Sequence, residues 1–145
     1  MTHNKNVIQF RVSILWRFYD FVASNGTNYI EKWCQEEISE EARNMFDDIL
    51  KNNSKIEKPI KWLWSKTLKG KYNRLWEFYF ICDKIQHRII GEFSPAARRA
   101  TLLVGCFHKD KIYTPADALD LAYKRSRQLA KKEGFRHERK IRMDR

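Results

Sequence analysis

Residues 75–107, LWEFYFICDKIQHRIIGEFSPAARRATLLVGCF, decide the fold of this chain. Three of their segments are rich in aromatic and β-branched side chains, which favour strands: 75–82, 86–93 and 101–107. Asp83-Lys84 makes the turn between the first two segments, and residues 94–99 form a longer hairpin loop. Strands of this length with short connections pair as an antiparallel meander.

Helical patterns lie on both sides of the predicted meander. One helix begins near Asn28, and a second begins at Ser39, where two glutamates follow beside the positive end of the helix. Two successive helices of this kind predict an αα-hairpin. A third helix is predicted to begin at Thr114-Pro115, with an N-cap followed by a proline at the first helical position, and to end at Gly134.

The order of these elements predicts one α+β domain. Residues 7–22 are β-branched and aromatic, so one strand or two short ones precede the helices. A chain of 145 residues has the length of a single domain. We expect an N-terminal extension at 1–13, a domain at 14–133 and a basic tail at 134–145. The domain is predicted to pack a two-helix hairpin on a mostly antiparallel sheet, with a C-terminal helix.

Composition predicts a reducing, membrane-free location, the cytoplasm. No apolar run approaches the ~20 residues of a membrane span, and no apolar region follows the N-terminus as in a signal peptide. The cysteines Cys34, Cys82 and Cys106 are odd in number and lie in apolar segments, which is typical of reduced core thiols. Pairing Cys82 with His87 and Cys106 with His108 matches no zinc motif, so we expect neither a metal nor a cofactor.

Charge is unevenly distributed along the chain. Residues 1–60 carry 8 basic and 9 acidic side chains, a net charge of −1, whereas residues 61–145 carry 21 basic and 9 acidic side chains, a net charge of +12. A surface whose charge serves only solubility mixes the two signs. The asymmetry therefore favours a polyanionic partner for the second half, such as nucleic acid, an acidic protein or a membrane surface.

The strongest candidate site is basic. Arg88 lies in mid-strand, His108 and Lys109 lie where the next strand ends, and Tyr113 lies in the loop before the third helix. A meander brings these side chains to one edge of the sheet. An arginine fork there suits a phosphate group, and a neighbouring lysine, histidine or tyrosine can transfer a proton.

Arg88 has a second, purely structural interpretation. A charged side chain in mid-strand is costly unless its face is solvated or it meets an anion. That anion is equally well an acidic side chain on a neighbouring strand, for which Glu77 and Glu92 are the candidates. At the level of residue patterns the phosphate site and the ion pair both stay open.

Three short motifs resemble one known family. Residues 107–115, FHKDKIYTP, are similar to the F-x-K-K-x-x-K-T-P stretch of phage-derived HigB-like toxins, which belong to the RelE/ParE toxin superfamily. Residues 75–78, LWEF, resemble the L-W-E-L strand of that group, and residues 87–90, HRII, resemble its Y-R-V strand. Asp110 and Tyr113 stand where the family has lysines.

The resemblance implies a RelE/ParE-like toxin of a type II toxin–antitoxin system. Such a toxin is neutralised by a helix-turn-helix antitoxin and cleaves mRNA on the ribosome, where a ribose 2′-OH attacks its adjacent phosphate. Arg88 would hold the phosphate, Lys109 or His108 would transfer protons, and Tyr113 would orient a base. Further RNA contacts are expected from basic residues outside the motif core: Lys69, Lys71, Arg74, Lys84 and Lys111.

Two other functions stay open beside this one. The first is a ParE-like topoisomerase inhibitor that cuts nothing, and the second is a non-catalytic nucleic-acid-binding module. Trp62 and Trp64 also have two interpretations. They form either an apolar anchor for the antitoxin or the floor of the core beneath the two predicted helices.

Overall fold

A seven-stranded mixed sheet forms the centre of the structure, a computed structural model that describes residues 14–141. Its strands are β1 (Arg17–Ala23), β2 (Ser65–Thr67), β3 (Leu75–Cys82), β4 (Ile85–Ser94), β5 (Arg99–Lys109), β6 (Ile112–Thr114) and β7 (Gly134–Glu138). The α-helices of the described residues are α1 (Tyr29–Glu36), α2 (Glu40–Asn53) and α3 (Ala118–Ala130). The predicted extension at 1–13 lies outside the described residues, as does the part of the predicted tail at 142–145.

The meander predicted from residues 75–107 forms the middle of the sheet. β3 pairs with β4, and β4 pairs with β5, antiparallel in both cases. The short strand β2 pairs with the outer edge of β3. On the far side, β1 and β6 share one edge of β5, and β7 extends the sheet beyond β1.

The predicted RelE/ParE-like arrangement is wrong. The chain is α+β, but its sheet is mixed because β1 runs parallel to β5. The two N-terminal helices do not form the predicted hairpin, since α1 packs on β1 and β5 whereas α2 packs on β3. Each helix has a single apolar stripe, and the core buries it. The buried residues of these stripes include Ile30, Trp33, Cys34, Phe46, Ile49 and Leu50.

The first two helices begin as predicted, and the third does not. The side chains of Asn28 and Ser39 accept hydrogen bonds of 2.9 and 3.1 Å from backbone N–H groups in the first turns of α1 and α2. Thr114 is not a helix cap, because it pairs with Phe107 as the last residue of β6, and α3 begins only at Ala118. No helix within residues 14–141 is long and apolar enough to cross a membrane.

Residues 134–138, predicted to lie in a basic tail, form β7 and pair antiparallel with β1. Just beyond this strand, Arg139 donates hydrogen bonds to the carboxylates of Asp20 on β1 (3.0 Å) and of Glu31 on α1 (3.1 Å). Burial raises the pKa of the Asp20 carboxyl group, and the charge of Arg139 opposes that shift. The C-terminal segment thus ties β1 to α1.

Aromatic side chains dominate the core between the sheet and the helices α1 and α2. The ring of Trp62 lies at its centre, with centroids 5.3–5.7 Å from those of Trp16, Phe18, Trp76, Phe78 and Phe93. Trp64, two residues later, is 57% exposed. Trp62 therefore belongs to the core, and Trp64 is the tryptophan of this pair that is available to a partner.

Replacing Trp62 by alanine removes the ring on which five others pack. We expect the Trp62→Ala variant to lose about 3–5 kcal/mol of unfolding free energy, the usual cost of deleting a large buried aromatic side chain. Trp64→Ala is the matched control, and we expect a change within about 0.5 kcal/mol for this exposed residue. Urea denaturation of both variants measures the difference, and equal losses would contradict the assignment of Trp62 to the core.

Candidate functional site

The face of the sheet that packs on α3 also carries a group of polar side chains. Strand register places them together, because Lys66 of β2 lies opposite Glu77 of β3 and His108 of β5 lies opposite Tyr113 of β6. Arg88 of β4 lies between these two pairs, since it contacts Glu77 and its strand separates β3 from β5. These five residues are called the polar cluster below.

Glu77 lies at the centre of the polar cluster and is fully buried. Its Oε1 accepts a hydrogen bond from Arg88 Nη1 (2.6 Å) and lies 3.4 Å from Lys66 Nζ. Its Oε2 accepts a hydrogen bond from the Tyr113 hydroxyl (2.9 Å). Three donors from three different strands therefore compensate one buried carboxylate, as a buried charge requires.

Of the two interpretations of Arg88, the structure shows the ion pair with Glu77. The guanidinium also donates a hydrogen bond to Gln86 Oε1 (2.7 Å), and only 11% of its side chain is exposed. The side chain of Lys66, in contrast, is 55% exposed. The cation that this cluster offers to an incoming anion is therefore chiefly Lys66, a residue that sequence reasoning missed. Its strand has three residues, too few for an alternating pattern to be recognised.

His108 and Tyr113 pack edge to face, with ring centroids 4.8 Å apart. Partial burial lowers the pKa of the His108 imidazole, and the positive charges of Arg88 and Lys66 lower it further. Burial and the neighbouring Glu77 carboxylate raise the pKa of the Tyr113 hydroxyl. At neutral pH the cluster thus presents an uncharged imidazole, able to accept a proton, beside a protonated phenol.

Lys109 does not join the residues with which it was predicted to act. Successive side chains of a strand point to opposite faces of the sheet. Phe107 packs against the core beneath α1 and α2, and His108 faces the polar cluster, so Lys109 lies on the face opposite Arg88. The structure brings together Arg88, His108 and Tyr113 of the four predicted catalytic residues.

The predicted RNA-binding residues are exposed but lie at two ends of the sheet. Lys69, Lys71 and Arg74 belong to the connection between β2 and β3, whereas Lys84 and Lys111 lie in the turns after β3 and β5. The eight residues of β3 separate the two groups by about 26 Å at the usual rise of a strand. The polar cluster lies between them, so the basic residues border it on two sides rather than forming one patch.

The two cysteine–histidine pairs do not form a zinc site. Cys82 packs in the core beneath α1 and α2, whereas Cys106 packs in the core beneath α3, on the other face of the sheet. Within residues 14–141, one group of metal-ligand type has its atoms within 4.8 Å: Glu41, Cys82 and Asp83. Desolvation raises the pKa of the Cys82 thiol, which favours the protonated form and not a metal-binding thiolate.

No protein-family model matches this chain, no curated protein matches it in sequence, and no solved structure gives a significant match.

Removing the charge of Glu77 leaves Arg88 buried without its anion. We expect Glu77→Gln to reduce the unfolding free energy by about 3–5 kcal/mol, the usual result of breaking a buried ion pair. The matched control is Glu138→Gln, since the Arg17–Glu138 pair has side chains 61% and 44% exposed and is expected to contribute less than about 1 kcal/mol. Denaturant titration measures the unfolding free energy of both variants. A loss in Glu77→Gln no larger than the loss in Glu138→Gln would contradict the central role of Glu77.

The imidazoles of His108 and His87 are expected to titrate below about pH 6.5, the value of an unperturbed histidine. Burial lowers the pKa of His87 as it does that of His108, so the folded state favours both neutral forms. The two histidines should then lower the unfolding free energy as the pH falls from about 6.5 to the folded-state midpoints, and their contribution should stay constant below them. NMR titration of the ring protons measures the midpoints. Lys66→Ala should raise the midpoint of His108 and leave that of His87 unchanged, and a His108 midpoint at or above 6.5 would contradict the geometry.

Proposed function

We propose that the protein cleaves RNA by metal-free transesterification at the polar cluster. The observation that carries this proposal is one cluster that joins the His108 imidazole to the exposed cation Lys66 through Tyr113 and Glu77, in the half of the chain that holds the positive charge. Single-stranded RNA supplies both reacting groups, the 2′-OH and the adjacent phosphate. The net charge of +12 on residues 61–145 favours such a polyanion.

In this mechanism His108 accepts the proton of the 2′-OH while the 2′-oxygen attacks the phosphorus. The bond from phosphorus to the 5′-oxygen breaks, the 5′-oxygen takes a proton from the Lys66 ammonium, and a 2′,3′-cyclic phosphate forms. Lys66 also stabilises the charge that develops on the phosphorane. Glu77 acts as a positioning residue, because it orients Lys66, Arg88 and Tyr113 without contacting the substrate.

The cellular role that we propose is that of a type II toxin acting on ribosome-bound mRNA and neutralised by a helix-turn-helix antitoxin. The support is the resemblance of residues 75–78, 87–90 and 107–115 to HigB-like toxins. Two residues of those motifs, Arg88 and Tyr113, belong to the polar cluster. The exposed ring of Trp64 is available to such a partner.

A second candidate function, RNA binding without cleavage, is favoured by one specific observation. The guanidinium of Arg88, which was expected to hold the scissile phosphate, is engaged by Glu77. A site whose exposed cation is Lys66, itself paired with Glu77, is weaker as a catalyst than as a contact for the RNA backbone.

Cleavage assays on a 5′-labelled single-stranded RNA, free and bound to purified ribosomes, test the proposal. We expect a product with a 2′,3′-cyclic phosphate, no effect of chelators, and no cleavage where the 2′-OH is replaced by hydrogen. His108→Asn and Lys66→Ala should each lower the rate by about 10²–10³. Lys109→Ala is the matched control because this lysine lies on the opposite face, and its rate should stay within about twofold of the wild type.

The same variants separate the two candidate functions. Cleavage that Lys109→Ala abolishes and His108→Asn spares would overturn the proposed mechanism. RNA binding that weakens with salt and with Lys66→Ala, in the absence of any cleaved product on ribosomes, would replace catalysis by the binding function.

A further inference from the structure

The shared edge of β5 leaves a gap in the sheet. β1 pairs with residues 99–102 of β5 and β6 pairs with residues 107–109, so residues 103–106 have no strand neighbour on that edge within the described chain. Both α1 and α3 pack against β5. A cleft of about 330 Å³ opens at the gap, between these two helices. Its lining includes Tyr29, Lys32, Trp33, Gly105 and Arg125.

Arg125 of α3 is a buried cation that has no ion-pair partner within residues 14–141. Only 9% of the residue is exposed, and its Nη1 donates a hydrogen bond to the Leu103 carbonyl at the gap (2.7 Å). The ring of Tyr29 lies 4.3 Å from the guanidinium carbon. Arg125 forms no ion pair with any acidic residue of 14–141. Its Nε and Nη2 have no hydrogen-bond partner in that range either, and they are not sealed from solvent. Two donors of the fork are therefore available from the cleft.

The backbone of Gly105 adds a third donor. Lys109 and Ile112 close a two-residue turn, so the N–H of Lys109 points to β6. The N–H groups of alternate residues in a strand point to the same edge, so the N–H of Gly105 points to the edge of β5 that bears β6. No strand of the described chain pairs with that edge at Gly105. A Cβ at Gly105 would lie 2.3 Å from the Trp33 ring, so the packing of this indole requires a bare backbone. The buried Nε1–H of Trp33 has no hydrogen-bond partner within the described residues.

Three unused groups of the cleft are donors: the Arg125 fork, the N–H of Gly105 and the Nε1–H of Trp33. The carbonyl of Gly105 at the same edge is an acceptor. A guanidinium fork beside a backbone N–H suits a carboxylate or phosphate group. Lys32 is a further cation of the lining, but Glu36 and Glu37 stand beside it and disfavour a ligand with several negative charges. The rings of Tyr29 and Trp33 form apolar walls for an organic body, and the volume is at the lower end of the ~300–1,000 Å³ of ligand pockets.

We propose that this cleft binds a small organic oxyanion, whose single carboxylate or phosphate group is held by Arg125 and the N–H of Gly105. The site is distinct from the polar cluster, since none of the five residues of that cluster lines it. The proposal does not depend on RNA cleavage, and a phosphate group bound there would belong to a small molecule such as a free nucleotide.

NMR of the ¹⁵N-labelled full chain tests the proposal through its 5 glycine amides. The probes are benzoate, inorganic phosphate, adenosine 5′-monophosphate and a short single-stranded RNA, each small molecule titrated to about 10 mM, tenfold above a dissociation constant of 1 mM. We expect at least one probe to shift the Gly105 amide in a saturable way. Gly26, which does not line the cleft, should stay in place. A response to benzoate alone would assign a carboxylate ligand and a response to the monophosphate a free nucleotide, whereas a response to RNA alone would overturn the small-molecule ligand.

Two variants assign the binding to the cleft. Arg125→Met should weaken it at least about tenfold, as expected for the loss of a hydrogen bond to a charged group. Lys32→Glu changes an exposed residue of the lining, so it keeps the test decisive if Arg125→Met does not fold, and it should weaken binding several-fold. Lys132→Glu, an exposed lysine outside the lining, is the control without effect. The proposal is overturned if no probe shifts Gly105 in a saturable way, or if Arg125→Met and Lys32→Glu both bind like the wild type.

Discussion

Strand β5 has two edges and three neighbours, and most of the architecture follows from this constraint. One edge pairs with β4 along almost its whole length, while the other is divided between β1 and β6. Because β1 is parallel to β5, the chain must cross over between them, and this crossover carries α1 and α2 onto one face of the sheet. The return from β6 to β7 carries α3 onto the other face. The gap between β1 and β6 is what remains of the divided edge.

Two buried charges near this strand are stabilised in opposite ways. Glu77 accepts hydrogen bonds from Arg88 and Tyr113 and has the ammonium of Lys66 nearby, so its charge is compensated within the protein. Arg125 has a carbonyl and aromatic rings around it, and it forms no ion pair with a carboxylate of the described residues, although the charge of Asp117 acts on it from a greater distance. An uncompensated buried charge costs several kcal/mol. This difference is why Glu77 is a positioning residue in our account, whereas Arg125 is the centre of a proposed binding site.

The positions of site residues on strands that are consecutive in the chain were easier to predict than side-chain directions and contacts between separate segments. Arg88, His108 and Tyr113 lie in one cluster because their strands are consecutive and pair with their chain neighbours, whereas the predicted surface of all four residues does not form. Lys109 was placed on the wrong face, since a shift of one residue reverses the direction of a strand side chain. Lys66 was missed because β2 is too short to be recognised from sequence and is identified only by its pairing with β3. Only the observed hydrogen bond between Arg88 and Glu77 decided that the partner of Arg88 is this carboxylate and not a phosphate.

Local pattern alone determined the three meander strands, the caps of α1 and α2, and the concentration of positive charge in residues 61–145. These properties depend on residues a few positions apart, whose spacing follows the geometry of a helix or strand. Only the tertiary structure decided that β1 lies parallel to β5, that residues 134–138 form β7, and that α1 and α2 pack separately on the sheet. The reason is that the pairing of distant segments depends on how much apolar area the complete fold buries and on whether it compensates each buried charge. A short stretch of sequence does not contain this information.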